Sequence, residues 1–464
     1  MQQRSLLQYC KIVRLSCQLF IVIAFILLSL YLVPYHEHWA DEVQAWLIAK
    51  EASFGDIITK IGHSEGHPVL WHLLLKSVFL CFGSEINISY ISIAVMSMTV
   101  MIIVFFYDIP LIYKLLLPFG YYFLYQYNIV ARNYCLGYLA LAILGVIYPK
   151  RFKSPYLYVC SLFFLAASVN FYAPVALCIG ARWCYEVYKS AKIKDFIFPL
   201  GLLGAGGILL LWHIFPVTAE YDITIHYFPP PVLIAKRFIT AFTGWDNLIY
   251  LFLFAFAVGL YSAQEKFYTA LSKNIRVILF IVLCFLPFIL LRYRFYHSGL
   301  IYGLFLCLAY MFFRPHLRDR QHPIFLIILI MQIYQSAVSI SYDKMFLYSP
   351  QNLVIEALKR HHKENNSLQI LGYHALPVFS VLGKNHPVWR NDIPHYYKWE
   401  ITDFQHIINR YADILVVSDD YVNHLQYDFS YYDNPDKFYI YHFNIRPILS
   451  ENLLQPLSLY IRKD

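Results

Sequence analysis

A chain of 464 residues that is 59% hydrophobic and only 14% charged lacks the polar surface to close a soluble globule, and it points to many membrane spans. Its formal net charge of +8 fits the basic loops that orient a polytopic protein better than a nucleic-acid-binding face. The nine cysteines sit in or beside apolar runs, none after Cys307, which leaves no readable disulfide framework and no CxxC metal site.

Arg4, Lys11 and Arg14 precede the first apolar run, and "LVPYHEHWADE" offers a poor small-residue cleavage site. A retained first span over 16–34 is therefore expected rather than a cleaved signal peptide. The chain then enters an outer loop, 35–86, through "HEHWADEVQAWLIAKE" (36–51). Asp41 and Glu42 stand at the predicted start of a helix, where acids complement the helix dipole and Asp also caps. The same loop carries His36, His38, His63, Glu65 and His67, and ionisable groups pressed against a bilayer usually serve a function. A carboxylate there can deprotonate an acceptor hydroxyl as a general base. In "HSEGHPVLWHLLL" (63–75), Pro68 is expected at the first helical position with His67 as its cap, a structural role. At the positive end of that helix His67 also suits an anion such as phosphate, and His63 and Glu65 are candidate substrate contacts. His36, His38, Glu65 and His67 are candidate ligands for a divalent metal ion, on a weak H-x-H signal.

Further apolar runs at 87–107, 111–128, 133–149, 156–170, 172–188, 196–216, 248–263, 275–292, 298–313 and 323–341 complete a set of about eleven spans. Segment 68–83 has the length of an interfacial helix, and charge decides that it does not cross. With it outside the count and a cytoplasmic N-terminus, the basic loops 149–153, 189–194, 264–276 and 314–322 all face the cytoplasm. Outer loops then include 127–134, 170–174, 217–247 and 292–298. Arg132 lies at one outer helix end, and Arg292, Arg294 and His297 lie at another, against the charge bias. Charge-assisted bonding to phosphate accounts for such arginines, as does snorkelling to headgroups or pairing with loop carboxylates. In the loop 217–247, His226, Lys236, Arg237, Trp245 and Asp246 are candidate substrate contacts. Beyond 342 the character changes. "SLQILGY" (367–373), "ADILVVSDD" (412–420) and "DKFYIYHF" (436–443) read as strands, and "PQNLVIEALKRHHKE" (350–364) reads as an amphipathic helix with 353, 354, 357 and 358 on one face. The expected fold is a polytopic α-helical membrane domain, 1–344, with interfacial helices in its first outer loop, and a small α/β domain outside the membrane, 345–464.

In "ADEVQAW" (40–46), "EGHPVLWHLLL" (65–75), "ARNYCLGYLAL" (131–141) and "RFYHSGLIYGLFL" (294–306), taken in that order, the chain resembles the GT-C superfamily of membrane glycosyltransferases. That group includes the protein O-mannosyltransferases and the enzyme that adds aminoarabinose to lipid A, and the likeness covers about residues 15–345. The resemblance implies inverting transfer of a sugar from a polyprenyl-phosphate carrier to a glycan, lipid or protein acceptor at the outer face of the cytoplasmic membrane. It puts the catalytic base on Asp41, with Glu42 placing the acceptor or an arginine, and carrier-phosphate binding on the region of His67. Arg132, Arg292, Arg294 and His297 are the further candidates for that phosphate. The chain departs from the pattern at Val69, where a second proline is usual, and at Gln44, where the aminoarabinose-type enzymes carry arginine. A transporter or flippase of lipid-linked sugars is the first alternative and would need ionisable residues near mid-bilayer. A non-catalytic membrane scaffold is the second.

Overall fold

The computed structural model describes residues 2–62, 68–83, 86–190, 193–214, 231–243, 277, 279–289, 297–319, 323–345, 351–363, 368–371, 413–418, 433–445 and 455–463. The expected span 248–263 lies outside them. Long apolar runs fold as helices at Gln2–Leu32, Ser89–Phe106, Tyr134–Ile147, Pro155–Ser168, Tyr172–Lys189, Ile193–Ile214, Ser298–Asp319 and Pro323–Met345, with their acids, Asp195, Glu186, Asp319 and Asp343, near the helix ends. Among the described residues, Lys11–Tyr35, Ser89–Phe106, Ile193–Leu210 and Pro323–Met345 are long and apolar enough to cross a membrane. Their outer faces agree with that. Leu19, Phe20, Ile23 and Leu27 on the first helix, and Ile197, Phe198, Ile208 and Leu209 on another, are exposed. Stripes of this size are unstable in water and stable against acyl chains. The chain is a multi-pass helical membrane protein.

One expected span is not a continuous helix. Residues 111–128 form a short helix Leu111–Leu116, a 3-10 turn Leu117–Phe119 and a π-type turn Tyr122–Gln126. Pro118 cannot donate to the turn before it, and Gly120 adopts an extended conformation, so the helical ladder breaks there. Asn128 repairs part of the loss: its amide donates to Ser29 Oγ (2.7 Å) and to the Leu124 carbonyl (3.0 Å), while Ser92 Oγ donates to its carbonyl (2.7 Å).

The chain divides into two compact units. The first comprises Met1–Val33, Ile58–Trp71 and Ser89–Ile340. Many tyrosines are buried in this unit: Tyr121, Tyr122, Tyr125, Tyr127, Tyr172 and Tyr302 are all nearly inaccessible. Buried hydroxyls need acceptors. Tyr138 donates to the Gly299 carbonyl (2.7 Å), Tyr172 to Leu300 (2.8 Å) and Tyr122 to Thr240 (3.2 Å). The helix ends pair in two sets. In one, Asp108 binds Arg314 (3.1 Å), and Glu186 binds Arg151 (2.8 Å) and Arg182 (3.2 Å). In the other, Ser29 meets Asn128, and Ser89 donates to the Ile129 carbonyl (2.9 Å).

The second unit comprises Pro34–Ile57, His72–Ile88 and Ser341–Asp464. The acidic helix runs Ala40–Glu51, and an apolar helix runs Leu70–Phe82, two residues after Pro68. Four strands, β1 (Leu368–Leu371), β2 (Ile414–Ser418), β3 (Phe438–Ile445) and β4 (Gln455–Arg462), pair in the order β1-β2-β4-β3. The β1 and β2 strands are parallel, and the remaining pairs are antiparallel. The amphipathic helix Gln351–Arg360 buries Val354, Ala357 and Leu358 against Ile414, Val416, Leu459 and Ile461, the inward positions of alternating strands.

Candidate functional site

Where the first span ends, a 3-10 turn (Val33–Tyr35) and four extended residues lead into the Ala40–Glu51 helix. Trp39 caps that helix. Glu42, at the third helical position, reaches back so that its carboxylate accepts the Trp39 N–H at 2.8 Å, satisfying one of the donors a helix start leaves open. The same reach points the carboxylate at two imidazoles. His36 Nε2 lies 3.1 Å from Glu42 Oε2, and His38 Nδ1 lies 3.6 Å from Glu42 Oε1. The two rings meet edge to face at 5.9 Å. On its far side His36 Nδ1 faces Asp343 Oδ2 at 3.2 Å, and that aspartate comes from the end of the Pro323–Met345 helix. Two neighbouring contacts reinforce the link between these segments: Asn352 donates to Glu37, and the Lys344 ammonium lies 4.7 Å from the Tyr35 ring.

The side chains of His36 and Glu42 have no solvent exposure, and that of Asp343 has almost none. Burial opposes charge on the His36 imidazole. The facing Glu42 carboxylate and the hydrogen bonds to Asp343 and Glu42 outweigh it and hold the pKa well above the ordinary histidine value. Burial likewise opposes ionisation of Glu42, but the His36 charge and hydrogen bond, with His38 facing it, hold this carboxyl well below the usual carboxylate range. Glu42 is thus an ionised, weakly basic group. His36, His38 and Glu42 each also offer one metal-ligating atom, and these atoms lie within 4.8 Å of one another.

Asp41, one residue before Glu42, is only half-buried. Of the residues assigned to a carrier phosphate, Arg132 and His297 lie in the first unit and meet one ring. The Arg132 guanidinium is 5.4 Å from the centre of Tyr134, and the buried His297 packs edge to face on Tyr134 (5.8 Å) and against Phe171 (4.6 Å). Lys236 and Arg237 stand on the helix Pro231–Thr243. His63, Glu65, His67, His226, Trp245, Asp246, Arg292 and Arg294 lie outside the described residues. Two participants were not read from the sequence. Asp343 is the acid at the exit of the last apolar run, as Asp41-Glu42 is at the exit of the first, and pairing those exits would have found it. Glu37 lies inside the quoted H-E-H stretch but draws no notice without its partner Asn352. No family model matches the chain, and neither the curated proteins nor the solved structures include a match to it.

Proposed function

We propose that the chain is an integral-membrane glycosyltransferase that moves a sugar from a polyprenyl-phosphate carrier to an acceptor at the outer face of the membrane, with inversion. The observation that carries this reading is the division of labour between two adjacent carboxylates. Glu42 is buried, bonded to Trp39 and His36, and held as a weak base, whereas Asp41 is half-buried on the same first helical turn. Asp41 follows the end of the first span directly, at the depth where a carrier lipid presents its anomeric carbon. It takes the proton of an acceptor hydroxyl as that oxygen attacks the anomeric carbon opposite the phosphate. The bond from that carbon to the phosphate oxygen breaks, and polyprenyl phosphate leaves as the anion. On charge alone, His67, Arg132, Arg292, Arg294 and His297 are assigned to that anion, with His63 and Glu65 as substrate contacts.

The two sets of paired helix ends are compatible with eleven spans and an inside N-terminus. Asp108, Arg151, Arg182, Glu186 and Arg314 then share the cytoplasmic side, while Ser29, Ser89 and Asn128 share the other. In that topology the sheet-bearing residues 345–464 form an outer α/β domain. The decisive experiment deletes the gene, profiles the sugars of envelope lipids, glycans and proteins, and complements with wild type and with Asp41→Asn. A sugar disappears on deletion and returns with wild type. Asp41→Asn transfers it about 10²–10⁴-fold more slowly, the usual cost of losing a general base. Full rescue by Asp41→Asn overturns the base assignment, and an unchanged sugar profile on deletion overturns the transferase reading.

A further inference from the structure

We propose that His36, His38 and Glu42 form a binding site for a zinc-class divalent cation, with Asp343 as the group that orients His36. A buried ion pair alone accounts for only part of the cluster. It explains His36, which lies between Glu42 and Asp343, but not His38. The His38 Nδ1 atom is buried and has no hydrogen-bond partner among the described residues, and its 3.6 Å approach to Glu42 Oε1 is too long for a hydrogen bond. This places the His38 nitrogen beside the Glu42 carboxylate as a second imidazole donor without a hydrogen bond between the two.

The spacing fits such an ion. With bonds of ~2.0–2.1 Å, the edge of a tetrahedral site is about 3.4 Å. His36 Nε2 lies 3.1 Å from Glu42 Oε2 and His38 Nδ1 lies 3.6 Å from Glu42 Oε1, so each imidazole stands at about that spacing from one of the two carboxylate oxygens. One ligand atom from each of the three residues lies within 4.8 Å of the other two. The donors are two imidazole nitrogens and one carboxylate oxygen. That set suits zinc and its transition-metal neighbours rather than calcium or magnesium, which take oxygen ligands. Three protein donors leave a fourth position open to water or a substrate oxygen.

The surrounding contacts favour the same assignment. Metal-bound histidines commonly donate their second ring N–H to a carboxylate, which fixes the tautomer. His36 Nδ1 faces Asp343 Oδ2 at 3.2 Å, so a proton on Nδ1 leaves the Nε2 lone pair directed at Glu42. The Trp39 N–H holds the carboxylate at 2.8 Å from behind. On binding, the cation replaces the Nε2 proton of His36, and that proton passes to solvent.

The test uses the full chain purified in detergent and stripped with chelator. It is titrated with Co²⁺, read by its ligand-field absorption, then with Zn²⁺ in competition, and bound zinc is counted by elemental analysis. Wild type is expected to take one equivalent, with tetrahedral or five-coordinate cobalt bands that zinc displaces. His38→Ala, at a partly exposed side chain, should weaken binding by at least tenfold, and Asp343→Asn by about 10–100-fold. His361→Ala, at a histidine outside the cluster, should change nothing. Melting curves taken in chelator confirm that each variant is folded. Wild type that binds Co²⁺ and Zn²⁺ no more tightly than His38→Ala overturns the proposal. The inference does not rest on the transferase reading: metal held at this site by a protein without transferase activity leaves it standing, and an active transferase that binds no metal here removes it.

Discussion

At the residue scale, the Glu42–His36–Asp343 arrangement links stability to pH with a definite sign. The folded-state pKa of His36 is raised above the ordinary 6.5, so its contribution is complete below that value and fades as pH climbs toward the raised one. The pKa of Glu42 is depressed below the ordinary 4.5, so its contribution is complete above that value and is lost as pH falls toward the depressed one. Both are therefore at full strength between pH 4.5 and 6.5. Melting curves in chelator should show the gap between wild type and His36→Asn widest in that interval and narrowing on both sides. Of the groups facing the ring, Glu42 and Asp343 raise its pKa and His38 meets it edge to face, and a pH-independent gap would mean that His36 is neutral in the folded protein. The sequence showed half of the arrangement. His36, His38 and Glu42 fall within seven residues, close enough to be read as one cluster. Asp343 is 307 positions from His36 and carries no local pattern that pairs the two.

At the element scale, hydropathy located apolar segments well and their interruptions poorly. The run 111–128 is apolar enough to read as one span, yet Pro118 and Gly120 divide it, and only the polar contacts of Asn128 show how the break is tolerated. Three strand-like runs fall on β1, β2 and β3, while β4 carries Pro456, a residue that counts against a strand. The register supplies the reason it is allowed. The ladder between β2 and β4 ends at Ser418 and Leu457, so Pro456 pairs on one side alone, with Asn444 of β3. Helix packing gives a sharper test. A Cβ built on Gly303 of the Ser298–Asp319 helix would lie 2.8 Å from the Tyr138 ring, and Tyr138 is anchored by its 2.7 Å bond to the Gly299 carbonyl. For Gly303→Ala, the helix-propensity gain of ~0.8–1.0 kcal/mol opposes an overpacking cost of ~1–3 kcal/mol. The cost should win, and the melting temperature should drop. Gly201→Ala, at an exposed helical position with no clash, should keep the propensity gain alone and melt no lower than wild type. Equal melting of the two variants would mean that the Tyr138 ring yields freely.

At the scale of the whole molecule, everything depends on sidedness, which the sequence expresses only as a bias in basic loops. The structure adds an independent constraint, because helix ends that bond to each other must lie on one side of the bilayer. Asp108 with Arg314, and Glu186 with Arg151, each tie two distant chain turns to one face through ion pairs that the charge count does not use. At the other ends, Asn128 with Ser29 and Ser89 with Ile129 form a second layer. An odd error in the span count between 108 and 314 would place the members of a bonded pair on opposite faces. Miscounts that survive this constraint therefore come in pairs or shift the whole set. Fusions to a phosphatase that is active only after export separate these cases. Fusions after Ser190 and Arg318 should be inactive, and a fusion after Met345 should be active. An active fusion after Arg318 would carry the Asp108–Arg314 layer to the outer face. A further crossing in 68–83 would part Asp343 from His36, which bond to each other, so the N-terminus would then have to lie outside and Asp41 with the histidine cluster inside.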